Sequence, residues 1–175
     1  MDIEIDLFVN KHVCFLFFST YELWCGEMAG KLNVFPLSKT GVCGHQALCH
    51  SDEPNVIEDL KVARMCSNDV YIFTCLYPGF MVYQWHAVRK QIENKLDCSK
   101  LLPCSESLKS IAIDEHLSLI KCQISALCAH GKELYIGTTW GCLIIAEVNT
   151  LRPITVFRPY ENEVSFEKEN ANYKE

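Results

Sequence analysis

Cysteine and histidine cluster in one short segment of this 175-residue chain. Cys43, His45, Cys49 and His50 lie close together around a glycine. Four nitrogen and sulfur ligands suffice for a tetrahedral zinc site, so these residues are the candidate metal ligands. Their spacing is not that of a standard zinc finger, and a polar loop in a cysteine-rich chain is the favoured interpretation. We therefore expect no metal or other cofactor. Zinc titration of an isolated loop peptide that contains these four residues tests that expectation.

Other reactive side chains lack the neighbours that catalysis requires. Residues 114–116 (Asp-Glu-His) have acid–base potential, but no Gly-x-Ser-x-Gly turn or other activated nucleophile accompanies them. The chain has no Gly-x4-Gly-Lys-Ser/Thr phosphate loop and no kinase motif of the His-Arg-Asp or Asp-Phe-Gly type. Cys98 and Cys104 are either a redox pair or, as a cytosolic location favours, two free thiols. We assign no catalytic residue and predict that this segment is not an enzyme.

The composition narrows the class of partner. The net charge of −6 disfavours nucleic acid and an anionic membrane surface as ligands. Residues 13–18 are apolar but too few to span a bilayer, and acidic residues precede them instead of the basic ones of a secretory signal. Eleven cysteines then indicate small buried side chains in a reducing, cytoplasmic setting. Those expected in the core are Cys14, Cys25, Cys75, Cys128 and Cys142.

The chain repeats itself. Residues 22–35 and 133–146 share a template of acid, Leu, aromatic, one residue, Gly, three residues, Gly and an apolar run, and residues 69–85 form a looser copy. The second glycine of the template indicates a hairpin turn, whereas Gly26 and Gly137 indicate a bulge or a close backbone approach. A fixed-period repeat of short strands predicts a repeat architecture with a binding surface.

Each copy is expected to be the central hairpin of a four-stranded antiparallel blade. We predict an all-β, partial WD40-like β-propeller over residues 1–160, because three blades are too few to close a ring. The blade-like units span about 9–55, 56–97 and 122–160, with an insertion at 98–121 and a frayed polar tail at 161–175. The first unit lacks a clear fourth strand, and residues 38–54 are interpreted as a loop. The rival fold is a small β-sandwich.

Partner-binding candidates come from the third unit. Trp140 lies in its hairpin turn, at the expected rim of a propeller, and aromatic residues often anchor interfaces. Arg152 and Arg158 flank the last strand and are suited to an acidic partner. The alternative for Trp140 is packing onto its own blade.

Two stretches resemble a known family. Residues 94–113 (NKLDCSKLLPCSESLKSIAI) and 133–147 (ELYIGTTWGCLIIAE), continuing through LRPITVFRPY at 151–160, are similar to the C-terminal WD40-like propeller of the leucine-rich repeat (Roco) serine/threonine kinases. The resemblance extends over about residues 22–160 and is closer to the first of the two vertebrate members. It implies a cytosolic, multidomain kinase with a GTP-binding domain, in which the propeller is a non-catalytic interaction and regulatory module.

The favoured function is therefore that of a protein-binding scaffold segment within such a kinase. Its expected partners are proteins, including other domains of the parent kinase or a second copy, with no nucleic acid and no membrane insertion. One alternative is a truncated product with no autonomous function, whose strand edges lack the neighbouring blades. The other is a small metal-binding protein using the Cys/His segment.

Overall fold

A computed structural model describes residues 13–18, 22–28, 30–38, 41–42, 44, 46–50, 61–101, 123–139 and 141–158. These residues form three antiparallel sheets, each built by strands that follow one another along the chain. Turns with glycine or another residue at positive φ join several strands, as at Gly30, Gly131 and Gly141. The all-β, partial-propeller architecture is thus confirmed, and the three sheets correspond to the three predicted blades.

The first blade contains β1 (Val13–Phe18), β2 (Glu22–Glu27), β3 (Lys31–Ser38), β4 (Gly41–Val42) and β5 (Gln46–Cys49). The second contains β6 (Lys61–Ser67), β7 (Tyr71–Tyr77), β8 (Met81–His86) and β9 (Ile92–Asp97), after which Cys98–Leu101 form one short 3-10 turn. The third contains β10 (Ile124–His130), β11 (Glu133–Thr138), β12 (Leu143–Glu147) and β13 (Pro153–Phe157).

The first strand of each blade is its inner strand. β6 lies against β1 on one side and against β10 on the other, so the second blade is central. β6 and β10 begin at the same end of their blades, which we call the upper end. Because neighbouring strands are antiparallel, the β7–β8 and β11–β12 turns also lie at the upper end.

The burial patterns follow from this arrangement. Five consecutive residues of β7 are buried, because the central blade is covered on both faces. β11 alternates between buried and half-buried residues, as expected for a blade packed on one face. The junction between the first and second blades is an apolar cluster of Trp24, Leu32, Val34, Leu48, Val62, Met65, Ile72, Leu76 and Trp85. The junction between the second and third blades contains Phe73, Cys75, Val82, Leu96, Cys98, Ile124, Leu134, Ile136, Ile144, Ala146, Val148 and Leu151.

The same irregularity recurs in all three inner strands. The register of each inner strand shifts by one residue against its neighbour, at Cys14, Ala63 and Ser125. The residues opposite these bulges are Gly26, Cys75 and Gly137, so the three blades superpose at these positions. The middle copy of the repeat therefore starts at Tyr71 and not at Asp69, since the expected alignment of the copies ignored the position of the bulge.

Of the two roles predicted for Gly26, a bulge or a close backbone approach, the close approach is confirmed. A Cβ atom built on Gly26 would lie 2.6 Å from Cβ and Cγ1 of Val62, so the absence of a side chain lets β2 approach the inner strand of the next blade. At Gly137 the nearest atom to such a Cβ would be Cβ of Ala126 at 3.4 Å, an ordinary contact. Gly26 is thus required by packing between blades, whereas Gly137 only lies opposite a bulge.

Two expectations about the first and third blades are wrong. Residues 46–49, expected in a loop, form β5 and complete the first blade by pairing with residues 31–34 of β3. Its composition is typical of a loop because its polar residues are exposed on an outer strand, where only Leu48 is buried. Cys128 is exposed, because it lies on the face of β10 directed away from the second blade. Cys25, Cys75 and Cys142 are buried as predicted, and the side chain of Cys14 lies outside the described residues.

Candidate interaction site

A buried polar chain crosses the junction between the first and second blades. His50 follows β5 and is only 3% exposed. Its Nδ1 lies 2.5 Å from the carbonyl oxygen of Gly30, and its Nε2 lies 2.7 Å from Oγ1 of Thr74. Trp85 Nε1 lies 3.0 Å from the same hydroxyl oxygen. These four residues come from four separate parts of the chain and are joined by three hydrogen bonds.

The chemistry of the groups fixes the direction of every bond in this chain. A carbonyl oxygen can only accept, so Nδ1 of His50 must carry the proton that it donates to Gly30. Nε2 then accepts from the Thr74 hydroxyl, whose oxygen accepts from the indole N–H of Trp85. Every donor and acceptor is satisfied only when the imidazole is neutral. Burial, the largest influence, lowers the pKa of His50 to about 4.

His50 is therefore occupied by structural contacts. Its ring also makes edge contacts with Tyr83 and Trp85, with centroid distances of 4.7 and 5.1 Å. Cys49 precedes it in the chain and is exposed. Cys43 and His45 lie outside the described residues, so their role as metal ligands stays a prediction. Among the residues that the structure describes, no group of three or more His, Cys, Asp or Glu side chains is placed to hold a metal ion.

The second junction has its own buried polar link. Gln84 is fully buried, and its Nε2 donates to the carbonyl oxygen of Val148 over 2.6 Å. Its Oε1 accepts from Nδ2 of Asn94 over 2.5 Å. The side chain of Gln84 thus ties the third strand of the second blade to the turn after β12. Neither this link nor the one at His50 was predicted from the sequence, because both depend on contacts between distant residues.

A cation closes the outer part of the first junction. Lys90, in the β8–β9 turn, forms an ion pair with Glu22 of the first blade. Its Nζ also lies 4.9 Å from the ring centroid of Trp24, a cation–π distance. Lys90 has a φ of 57°, and the turn that it ends directs its side chain toward the first blade.

The structure separates the predicted partner-binding residues. Trp140 lies outside the described residues, but the turn that contains it joins β11 to β12 at the upper end. Arg158 follows β13 at this end, because Phe157 pairs with Leu143. Arg152 is exposed in the turn after β12, at the opposite end. Arg158 and the β11–β12 turn therefore lie at the same end of the third blade, and Arg152 lies at the opposite end.

The predicted insertion and its redox pair are only partly described. Cys98 is fully buried at the start of the 3-10 turn, where burial raises the pKa of its thiol to about 12. Cys104, the Asp-Glu-His sequence at 114–116 and residues 102–122 as a whole lie outside the described residues, as do residues 159–175. No helix among the described residues is long and apolar enough to cross a membrane.

These features define the class of protein as a partial β-propeller. Its three antiparallel blades do not close a ring, and an apolar cluster and buried hydrogen bonds stabilise each junction. Comparison with known proteins gives the family. Residues 21–166 match the family model described as the LRRK2 beta propeller, and the chain belongs to this family. As the propeller of this family, the matched segment is not itself catalytic.

A curated relative agrees with the family match. The chain is 24% identical over 148 residues to the leucine-rich repeat serine/threonine-protein kinase 1 of Caenorhabditis elegans. The match covers 84% of this chain but 6% of the relative, so the chain spans a small part of that protein's length.

Solved structures share the fold at low identity. The computationally designed Ika4 protein matches with a TM-score of 0.58 and 14% identity, over 90% of this chain and 79% of that one. The designed Ika8 protein matches with a TM-score of 0.55 and 15% identity, over 83% of this chain and 36% of that one. A chain of the mitotic checkpoint complex matches with a TM-score of 0.56 and 12% identity, over 85% and 38%. At these identities the likeness concerns the fold alone.

Proposed function

We propose that this chain is a protein-interaction and regulatory segment of a large cytoplasmic serine/threonine kinase of the Roco type, whose GTP-binding and kinase activities reside in other domains. The observation that carries the proposal is the family match over residues 21–166. The kinase relative supports it, and the earlier resemblance favours a parent similar to the first of the two vertebrate members.

The blade architecture supports a binding role. Propellers present their turns at two ends of a rigid array of sheets, and such extended surfaces are suited to protein partners. The β11–β12 turn and Arg158 lie at the upper end, and we expect Trp140 in that turn to join Arg158 in binding partners, since aromatic and cationic residues are enriched at interface hot spots. The partners we propose are other domains of the parent kinase, a second copy of this chain or a separate protein.

A comparison of two variants at opposite ends of the third blade tests the proposal. The purified chain would be immobilised and the proteins that it retains from cytosol quantified by mass spectrometry. We expect Trp140→Ala to reduce retention of a defined set of proteins, including fragments of a Roco kinase. Lys132→Ala, in the exposed β10–β11 turn, is the control for the opposite end. Identical retention by the wild type, by Trp140→Ala and by a blank support would contradict the proposed function.

The second candidate is a truncated product without autonomous function. The outward face of the third blade favours it, because Cys128 is exposed there and the neighbouring Tyr135 and Ile145 are only half-buried. The outer strand also leaves Ile154 54% exposed. A fourth blade added in the parent protein would cover this face. A sharply melting, soluble monomer argues against this candidate, whereas aggregation that disappears when further blades are added supports it.

A further inference from the structure

A cavity of about 480 Å³ lies between the second and third blades at the upper end. We call it the interblade pocket and define it by five of its lining residues, Lys61, Arg64, Tyr77, Ser125 and Thr139. The bulges at Ala63 and Ser125 fall in its walls, where β6 and β10 begin. Bulges often occur next to binding sites, where they change the direction of a side chain. The pocket is large enough for a ligand of the usual small-molecule or side-chain size.

The charge of the pocket is opposite to that of the chain. The chain carries a net charge of −6, yet among the described residues the ionisable groups that line the pocket include two cations, Lys61 and Arg64, and no carboxylate. Neither cation forms an ion pair with a carboxylate of the described residues. Two positive charges that line one concave site without a carboxylate partner among the described residues favour an anion.

Arg64 is already held in position. Its Nε donates to the carbonyl oxygen of Ser125 and its Nη1 to that of Ala63, both over 2.6 Å. A guanidinium has five N–H donors, so these two bonds leave three for a ligand. The bond to Ser125 reaches from the second blade to the third, and it places the guanidinium between the two inner strands. Little side-chain entropy is then lost when a ligand binds.

Lys61 supplies the second charge from a different direction. Its Nζ lies 5.2 Å from the ring centroid of Tyr77. This cation–π contact holds the ammonium group above the ring, which forms one wall of the pocket. The remaining polar walls come from Gln123, Ser125 and Thr139. The pocket is therefore lined by the planar guanidinium of Arg64, by the ammonium group of Lys61 and by neutral polar side chains.

We propose that the interblade pocket binds a phosphorylated serine or threonine side chain of a partner protein. A phosphate monoester carries about −1.5 to −2 charge at neutral pH and three acceptor oxygens. That charge and those acceptors match two cations and three free guanidinium N–H groups better than a carboxylate does. The inference rests on the proposed interaction function and adds a site and a class of partner to it.

A phosphopeptide library tests the proposal. The full 175-residue chain would be incubated with an immobilised degenerate library that contains one fixed phosphoserine, and with the matched Ser and Asp libraries. The best retained sequence would then be labelled, and its Kd measured by fluorescence anisotropy. We expect retention by the phosphoserine library alone, and a loss in affinity of about tenfold or more for Arg64→Gln. Lys61→Gln is expected to weaken binding severalfold, because it removes one charge but, unlike Arg64→Gln, breaks no hydrogen bond to Ser125 or Ala63.

The matched control is Lys132→Gln, which removes the same charge from the exposed β10–β11 turn at the lower end of the blade. We expect its affinity to be unchanged, and melting curves establish that each variant is folded. Equal binding of the Ser and phosphoserine libraries, or equal affinity of Arg64→Gln and Lys132→Gln, would overturn the proposal. Tighter binding of inorganic phosphate or of a single-stranded oligonucleotide than of the phosphopeptide would also overturn it. If the wild type captures protein partners but retains no phosphoserine library, the interaction function stands and the pocket assignment fails.

Discussion

His50 makes the stability of this protein depend on pH in a way that one variant can isolate. In the folded chain burial lowers the pKa of the His50 imidazole to about 4, against the opposing effect of its hydrogen bond to Gly30, and the neutral ring accepts from the Thr74 hydroxyl. In the unfolded chain the pKa is about 6.5. Between these values the unfolded state binds more protons than the folded state. The stability that neutral His50 confers is therefore complete above about pH 6.5 and is lost as the pH falls toward 4.

The magnitude follows from the two pKa values. The two pKa values differ by about 2.5, which at about 1.36 kcal/mol per pH unit amounts to about 3 kcal/mol of stability, and most of it is lost by about pH 4.5. His50→Phe keeps an aromatic ring against Tyr83 and Trp85 but removes the titration and both hydrogen bonds. At about pH 7.5 we expect this variant to be less stable than the wild type by about 2–4 kcal/mol, since the hydroxyl of Thr74 and the carbonyl of Gly30 lose a buried partner.

Urea unfolding followed by tryptophan fluorescence measures both quantities. The free energy of unfolding of each protein would be determined at about pH 7.5 and at about pH 4.5. Carboxylates titrate equally in the two proteins. The difference between their free energies of unfolding therefore reports the contribution of His50. We expect the difference to shrink by roughly 2–3 kcal/mol at the lower pH. A difference that is the same at both pH values would refute the neutral, buried state of His50.

Three further predictions concern packing and thiol access. Gly26→Ala should destabilise the fold by about 1–3 kcal/mol, because the new methyl group would overlap with Val62. Gly137→Ala should be tolerated, and thermal melts of the two variants test this difference. Gln84→Leu should cost about 1–3 kcal/mol, because a carbonyl of the third blade loses its buried donor, and an unchanged urea midpoint would contradict the link. Thiol labelling under native conditions should separate two classes of cysteine, and equal rates for both would show that the blade junctions open freely. The labelled class is Cys49 and Cys128, and the protected class is Cys25, Cys75, Cys98 and Cys142.

Much of the fold is present in the local sequence. The template of residues 22–35 and 133–146 combines β-prone runs with glycines at fixed places, and these features specify a hairpin before any tertiary contact forms. Exposed outer strands carry a weaker signal. β5 was missed because a four-residue edge strand with one buried side chain does not differ from a loop in composition. The middle copy was displaced by two residues because a bulge changes the pairing without changing the residue types.

The candidate sites depended far more on tertiary structure. The sequence shows His50 beside cysteines and so makes it a weak candidate metal ligand in an expected polar loop, but it does not reveal that Thr74 and Trp85 lie close to it. The interblade pocket likewise arises only where Arg64 crosses from one blade to the carbonyl of the next.

The sequence by itself determined the fold class, the number of blades and the hairpins, because these follow from local periodicity and turn chemistry. The tertiary structure decided which side chains are buried, paired or free. Cys25 and Cys128 are the same residue type in similar apolar strands, yet one is buried and the other is exposed. The physical reason is that burial of a strand depends on what covers each face of its sheet, and that neighbour is distant in the chain.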